Sequence, residues 1–211
     1  MSVTAIANVS DLARKAALVF VGEMLNVLAT ELNEPLRLSL YDARIANRDA
    51  YSVKRVLVKE DFLTSFERAR WLSHHGETFM RALSWFRKGL VTEDPLDRFL
   101  AFWISLEVVV NRYQEVPDGT SPGVKNRLKE AFQTLWGAPE RWPVIAGEPD
   151  WIKSNYDLRV QIAHGTTAFQ IEHVEDALAK GNRIRAVAHQ FLIGWSNSLH
   201  REHGLRRLSA D

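Results

Sequence analysis

The stretch Thr92 to Tyr113, TEDPLDRFLAFWISLEVVVNRY, constrains the fold more than any other part of this sequence. Asp94 and Pro95 form a helix start, because aspartate caps free backbone N–H groups and proline suits the first helical position. From Phe99 to Val110 the helix is apolar all round, and Glu107 is its only charged residue. Such a helix must be surrounded by other helices or half-buried in a dimer interface. We therefore expect it at the centre of a helical bundle.

Helical patterns continue on both sides of this central helix. In residues 61–90 the apolar positions repeat with helical spacing, and Gly76 predicts a break within them. A shorter helix is predicted over Val124–Trp136, between two proline-rich loops.

Two further helices are predicted towards the end of the chain. The first runs over Asp150–His164, and Gly165 stands where a left-handed glycine commonly ends a helix. The second follows Glu172 and is amphipathic. Its predicted buried stripe consists of Ile184, Val187, Phe191, Trp195 and Leu199.

Residues 1–60 differ in pattern from the rest of the chain. A helix is predicted from Asn8 to Glu31, with Ser10 or Asn8 as its N-cap. Its expected apolar stripe is Leu12, Ala16, Val19, Phe20, Leu25, Leu28 and Leu32. After Pro35, LRLSL alternates strictly and AYSVKRVLV is rich in β-branched residues, with ANRD as a turn between them. The sequence thus predicts a small N-terminal α+β module, a helix plus a β-hairpin with a short strand at residues 3–7, ahead of a bundle over residues 61–211.

Composition excludes several classes of function. The chain has no cysteine, which rules out disulfides, thiolate zinc sites and cysteine nucleophiles. Its first residues lack the basic start and apolar run of a signal peptide, and its most apolar stretch is far shorter than the roughly 20 residues that span a bilayer. We therefore expect a cytoplasmic protein without a membrane partner. The net charge of +1 gives no bulk attraction to nucleic acid. The basic residues from position 180 onward could meet phosphates, but a solvated helix end explains them at least as well.

The segment YDLRVQIAHG carries the most suggestive chemistry. Arg159 and His164 are separated by about 140° on a regular helix, so they converge only if the chain unwinds at Gly165 or a second copy contributes across a dimer axis. A histidine can move protons at neutral pH, and a guanidinium can bind phosphate oxygens and stabilise transition-state charge. Together they suffice to cleave RNA without a metal. The structural alternative is a buried arginine paired with a carboxylate, next to a helix-capping histidine.

Glu107 makes that alternative concrete. A carboxylate within FWISLEVVV is costly to bury unless it is paired, and Arg159 is the expected partner. Glu107 then either orients a catalytic arginine or neutralises a structural one, and the sequence leaves both open.

No other constellation predicts a cofactor or a metal. His200, Glu202 and His203 in HREHG could chelate an ion but lack the pattern of a zinc protease. The sequence contains neither a phosphate-binding glycine loop nor a GxSxG nucleophile motif.

The segments ALSWFRKGLVTEDPLDRFLAFWISLEVVV and NYDLRVQIAHG, in this order, resemble the HEPN superfamily, and most closely its Apea-like and methylamine-utilisation J-type branches. The resemblance covers roughly residues 79–199. It implies a helical bundle that forms a homodimer and acts as a metal-independent endoribonuclease, often in toxin–antitoxin or anti-phage systems. RNA and an antitoxin or other protein would be its partners.

Carried over to this chain, Arg159 and His164 occupy the R-x4-6-H motif and Glu107 the glutamate position of the preceding helix, with Tyr156 in support. Active members typically have a polar residue directly after the arginine, where this chain has Val160. Many members of the superfamily are non-catalytic binding or scaffold domains, so a catalytically silent dimer with an accessory role is the alternative expectation.

Overall fold

The fold is built from helices. A computed structural model describes residues 9–37, 57–164 and 171–202, of which 164 and 200–202 are described by their backbone alone. These residues form seven α-helices and no β-strand. The helices are α1 (Ser10–Leu32), α2 (Lys59–His75), α3 (Glu77–Val91), α4 (Pro95–Tyr113), α5 (Val124–Trp136), α6 (Trp151–His164) and α7 (Ile171–Glu202). The predicted mainly α fold is confirmed.

Helix α4 lies at the centre of the bundle, as its apolar sequence predicts. It contacts α3, α5, α6 and α7. The Asp94 side chain caps its start by accepting hydrogen bonds from the backbone N–H groups of Leu96 and Asp97, both at 2.9 Å. Because α4 has neighbours on several sides, its apolar residues are covered by other helices. Glu107 is the one charged residue of α4 that is buried, and its burial is costly unless the carboxylate is paired.

Two glycines shape the neighbouring helices. Gly76 is the single residue between α2 and α3, and it forms the break that the sequence predicts. Gly89 lies where α3 passes closest to α4. A Cβ atom at position 89 would lie 2.7 Å from two ring carbons of Phe102, which is too close for a real contact. The absence of a side chain at Gly89 therefore sets the spacing between α3 and α4.

Helix α1 runs antiparallel to α2. The Glu31 carboxylate accepts hydrogen bonds from Ser65 and Arg68, and that of Glu23 accepts one of 2.9 Å from Ser73. Since α2 ends at His75, the turns of α1 that precede Glu23 extend beyond the end of their neighbour.

This geometry corrects the predicted apolar stripe of α1. Leu12, Val19 and Phe20 are exposed, whereas Leu25 and Leu28 are buried. Burial begins only at residue 21, because the first turns of α1 have no packing partner in α2. The predicted helical period was right, but it does not show where along the helix burial begins. The predicted N-cap is also wrong: Val9 occupies that position, and no side chain caps the helix.

The predicted β-hairpin falls almost entirely on residues 38–56, which lie outside the described part of the chain, as do residues 3–7. Both strand assignments remain predictions, and so does the domain boundary after residue 60. Within the described residues, α1 contributes Val21, Met24 and Val27 to the same hydrophobic core as the helices that follow it.

Helix α7 closes the bundle against α1. Its predicted stripe, from Ile184 to Leu199, is buried as expected. Nε2 of His189 lies 2.9 Å from the carbonyl oxygen of Thr30, and the Nε of Arg185 donates a 3.0 Å hydrogen bond to the side-chain oxygen of Asn33. The first and last helices of the described chain are thus joined by polar contacts as well as by the core.

The partial burial of His189 makes the stability of the fold depend on pH. Desolvation lowers the pKa of this histidine below its usual 6.5, and the charge of Arg185 acts in the same direction. The unfolded chain therefore binds a proton at a higher pH than the native chain does. This contribution to stability is complete above pH 6.5 and is lost as the pH falls below it towards the native pKa.

We expect a His189→Gln variant, which keeps a donor for Thr30 but does not titrate, to lose less stability on acidification. Urea unfolding of both proteins between pH of about 7.5 and about 5 measures this difference. Parallel pH profiles for the two proteins would contradict the assignment.

None of the helices in the described ranges is both long enough and apolar enough to cross a membrane.

Candidate functional site

The site is centred on Arg159 in the third turn of α6. The helix starts after the loop that ends in Pro149 and Asp150, and the N–H of Ser154 donates to the Asp150 carbonyl in its first turn. Without glycine or proline between Trp151 and His164, the helix is continuous along the whole motif. The inner face of α6 lies against α4 and α5, which directs Arg159 towards the centre of the bundle.

Glu107 receives Arg159 from the facing helix α4, as the sequence predicts. Nη2 of Arg159 donates a 3.1 Å hydrogen bond to Oε2 of Glu107. The second carboxylate oxygen, Oε1, lies 3.0 Å from Nε of the same guanidinium, but that N–H does not point along the contact. The two side chains therefore form an ion pair with a single hydrogen bond. The carboxylate is thus held against one edge of the guanidinium.

Trp103 provides a further contact that the sequence interpretation missed. Its indole Nε1 donates a 2.7 Å hydrogen bond to Oε1 of Glu107, one helical turn further along α4. The four-residue spacing of an indole donor and a carboxylate on one helix was a usable signal. With two donors from two helices, a glutamate of which only 8% is exposed is satisfied inside the core.

The outer edge of the Arg159 guanidinium remains open. A guanidinium carries five N–H groups, and the Glu107 carboxylate lies along its Nε and Nη2 edge, where it accepts one hydrogen bond from Nη2. Among the described residues Nη1 has no hydrogen-bond partner, and a quarter of the side chain is exposed, 25%. Arg159 can therefore stay paired with Glu107 while its other edge binds an anion.

His164 is the last residue of α6, as predicted, and the structure gives its backbone alone. Gly165, the predicted helix-ending glycine, lies outside the described residues. The convergence of the imidazole with Arg159 therefore remains a prediction.

Tyr156 lies one turn before Arg159 on α6 and is half-buried. Its ring packs edge-to-face against Trp103, with the ring centroids 6.4 Å apart. On its other side, the ammonium of Lys125 from α5 lies 5.0 Å from the Tyr156 ring centroid. No sequence pattern marked Lys125, because the register between α5 and α6 depends on the tertiary fold.

Val160, directly after the arginine, is half-buried. It adds no donor, acceptor or charge to the site. Among the described residues, the polar groups that meet at this site include those of Trp103, Glu107, Tyr156, Arg159 and Lys125.

The basic residues of α7 from position 180 onward whose side chains the structure describes are engaged in structural contacts. The described contacts are Lys180 with Asp176, Arg183 with Glu148, and Arg185 with Asn33. These pairs favour the solvated helix over a phosphate-binding tail.

Nothing in the described ranges forms a group of three or more acidic or histidine side chains able to hold a metal ion. The side chains of His200 and Glu202 and the whole of His203 lie outside those ranges, so the HREHG chelate is untested.

Comparisons with models of protein families, with curated proteins and with solved structures found no match to this chain. Functional inference therefore depends on the geometry of the site itself.

Glu107→Ala is expected to lower the free energy of unfolding by about 2–4 kcal/mol, because it leaves the buried Trp103 N–H without an acceptor and the Arg159 charge without its partner. Denaturant unfolding monitored by fluorescence measures the loss. Glu107→Gln keeps an oxygen for Trp103 and should cost less.

Asp157→Ala serves as a control for this prediction. It removes an exposed pair with Lys153 on the same helix α6 and should change stability far less. Equal losses in the Glu107→Ala and Asp157→Ala variants would show that the Glu107 contacts do not support the fold.

Proposed function

We propose that this chain is a HEPN-like, RNA-directed protein that forms a homodimer and cleaves RNA without a metal through Arg159 and His164, in a toxin–antitoxin or defence context. The proposal rests on the way the Arg159 guanidinium is held. Glu107 fixes one edge of its guanidinium, and the other edge is unpaired within the described residues and partly exposed. A guanidinium positioned in this way is suited to binding a phosphate group.

In the proposed reaction the ribose 2′-oxygen attacks the adjacent phosphorus, and the bond from phosphorus to the 5′-oxygen breaks. If His164 takes the proton from the 2′-hydroxyl, water protonates the leaving 5′-oxygen; if His164 protonates the 5′-oxygen, water takes the 2′-hydroxyl proton. Arg159 neutralises the extra negative charge on the phosphate oxygens in the transition state. Glu107, which touches the arginine and not the RNA, is a positioning residue, and Tyr156 supports the same surface.

The second candidate is a catalytically silent dimer with an accessory or partner-binding role, such as binding an antitoxin or another protein. Two observations favour it. Val160 supplies no polar group beside the arginine, and the Glu107 carboxylate neutralises the arginine's charge in the resting state. In this case Glu107, Trp103 and Arg159 form a structural polar cluster between α4 and α6.

Incubation of the purified protein with mixed RNA in the presence of EDTA tests the proposal. Metal-independent cleavage by the wild-type protein, lost in Arg159→Ala and His164→Ala, is the result expected of the enzyme. An absence of cleavage by the wild-type protein would overturn the nuclease proposal and leave the silent dimer. Size-exclusion chromatography with light scattering tests the dimer that both candidates share.

A further inference from the structure

Lys125 is an exposed cation next to the proposed RNA site. It is the second residue of α5, and its ammonium lies 5.0 Å from the centroid of the Tyr156 ring. Tyr156 and Arg159 are three residues apart on α6 and therefore neighbours on its surface. Lys125 thus contacts α6 one helical turn before Arg159.

The charge of Lys125 is not neutralised by its surroundings. It forms no ion pair with any residue in the described ranges, and the first turn of α5 contains no acidic residue. The acidic residue of α6 that senses its charge is Asp157, which accepts a 2.7 Å hydrogen bond from Lys153. The pKa of Asp157 is lowered mainly by that hydrogen bond, with Lys125 and Lys180 as more distant positive charges.

The contact with Tyr156 favours phosphate over a base as the ligand at this position. The ammonium covers one face of the ring and Trp103 meets the ring edge-on, so this face is not available for stacking by a base. A lysine ammonium is a compact charge with three rotatable donors on a flexible stem, which suits phosphate oxygens rather than the edge of a base. Because Lys125 is exposed, its ammonium can bind a phosphate oxygen on its solvent side while it stays over the ring.

We infer that Lys125 binds a backbone phosphate of single-stranded RNA next to the phosphate held by Arg159. The inference rests on the proposed RNA-directed function and extends the site from α6 to α5. Lys125 supplies affinity that does not depend on base sequence, and it sets the direction in which the strand leaves Arg159.

Lys125→Gln tests the inference, and the chain offers a matched control. Lys88 lies over the ring of Trp85 at 4.7 Å, in the same kind of contact, on α3. Among the described residues, α3 has no contact with α5 or α6. Lys88→Gln therefore removes the same charge from another face of the protein.

The probe is a short fluorescein-labelled single-stranded RNA of mixed sequence, and its binding is followed by anisotropy in EDTA at several salt concentrations. Cleavage is prevented by 2′-O-methylation of the RNA. Losing one phosphate contact reduces the slope of log affinity against log salt by about 0.7. The affinity ratio of wild-type protein to Lys125→Gln should therefore shrink about 2.6-fold between 50 and 200 mM salt. Lys88→Gln should follow the wild-type protein.

The outcomes separate the inference from the function on which it rests. If Arg159→Ala weakens RNA binding but Lys125→Gln behaves as Lys88→Gln does, the role of Lys125 is refuted and the RNA-directed function stands. If the wild-type protein does not bind the RNA, or Arg159→Ala leaves binding unchanged, both are refuted. Both lysines are exposed, and equal thermal midpoints of the variants confirm that the fold is kept.

Discussion

His164→Ala is expected to reduce metal-independent RNA cleavage by roughly 10²–10⁴-fold, the usual contribution of a positioned general acid or base. Arg159→Ala is expected to reduce it by roughly 10²–10³-fold, because the transition state loses a charged donor. Rates are measured with a defined RNA in EDTA at saturating protein. Arg159→Lys keeps the charge but cannot present one edge to Glu107 and another to phosphate, so it should restore little activity.

Two exposed residues of the same types provide controls for this prediction. His74 lies on α2 and Arg81 on α3, and within the described chain neither helix touches α6. His74→Ala and Arg81→Ala should cleave as the wild-type protein does. Equal cleavage by the wild-type protein and all the variants would assign the activity to other residues or to a contaminant, and would refute the motif as the active site.

Gly89→Val is expected to lower the free energy of unfolding by about 3 kcal/mol or more. The first added carbon already falls 2.7 Å from ring carbons of Phe102. That ring is 1% exposed and packs against Phe86 with centroids 5.3 Å apart, so it has no free space to enter. The α3–α4 pair must separate instead, which weakens the core around the central helix. Urea unfolding measures the change.

Gly181→Val is the matched control for this prediction. Gly181 also lies within a helix, α7, but nothing lies within 4 Å of an added Cβ there. The same substitution should change stability by no more than about 0.5 kcal/mol, since valine and glycine differ little in helix propensity. Similar losses at both positions would contradict the close approach of α3 and α4.

The central part of the fold could be predicted because its signals are local. Each signal concerns the backbone or the burial of its own helix. These signals are the carboxylate before Pro95, the glycine at position 76 and the apolar stripe from Ile184 to Leu199. The exposed start of α1 could not be predicted. A periodic pattern shows which face of a helix is apolar, but Phe20 is exposed because α2 ends beside Glu23, and that register is a tertiary property.

The same division applies to the candidate site. The pairing of Glu107 with Arg159 was predictable, because a charge in an apolar helix requires a partner. Lys125 was not predictable, since its place over Tyr156 depends on how α5 crosses α6. The orientation of His164 follows from neither source and remains a prediction.

The contact between α1 and α7 has a consequence for the chain during its synthesis. It joins Thr30 to His189, which are 159 residues apart. Helices that are neighbours in sequence can pair early, whereas this closure must await the end of the chain. At about 5–20 residues per second, the face of α1 that receives α7 waits roughly 10–30 seconds on the ribosome for its partner. During that interval the nascent chain exposes this face to chaperones and to other chains.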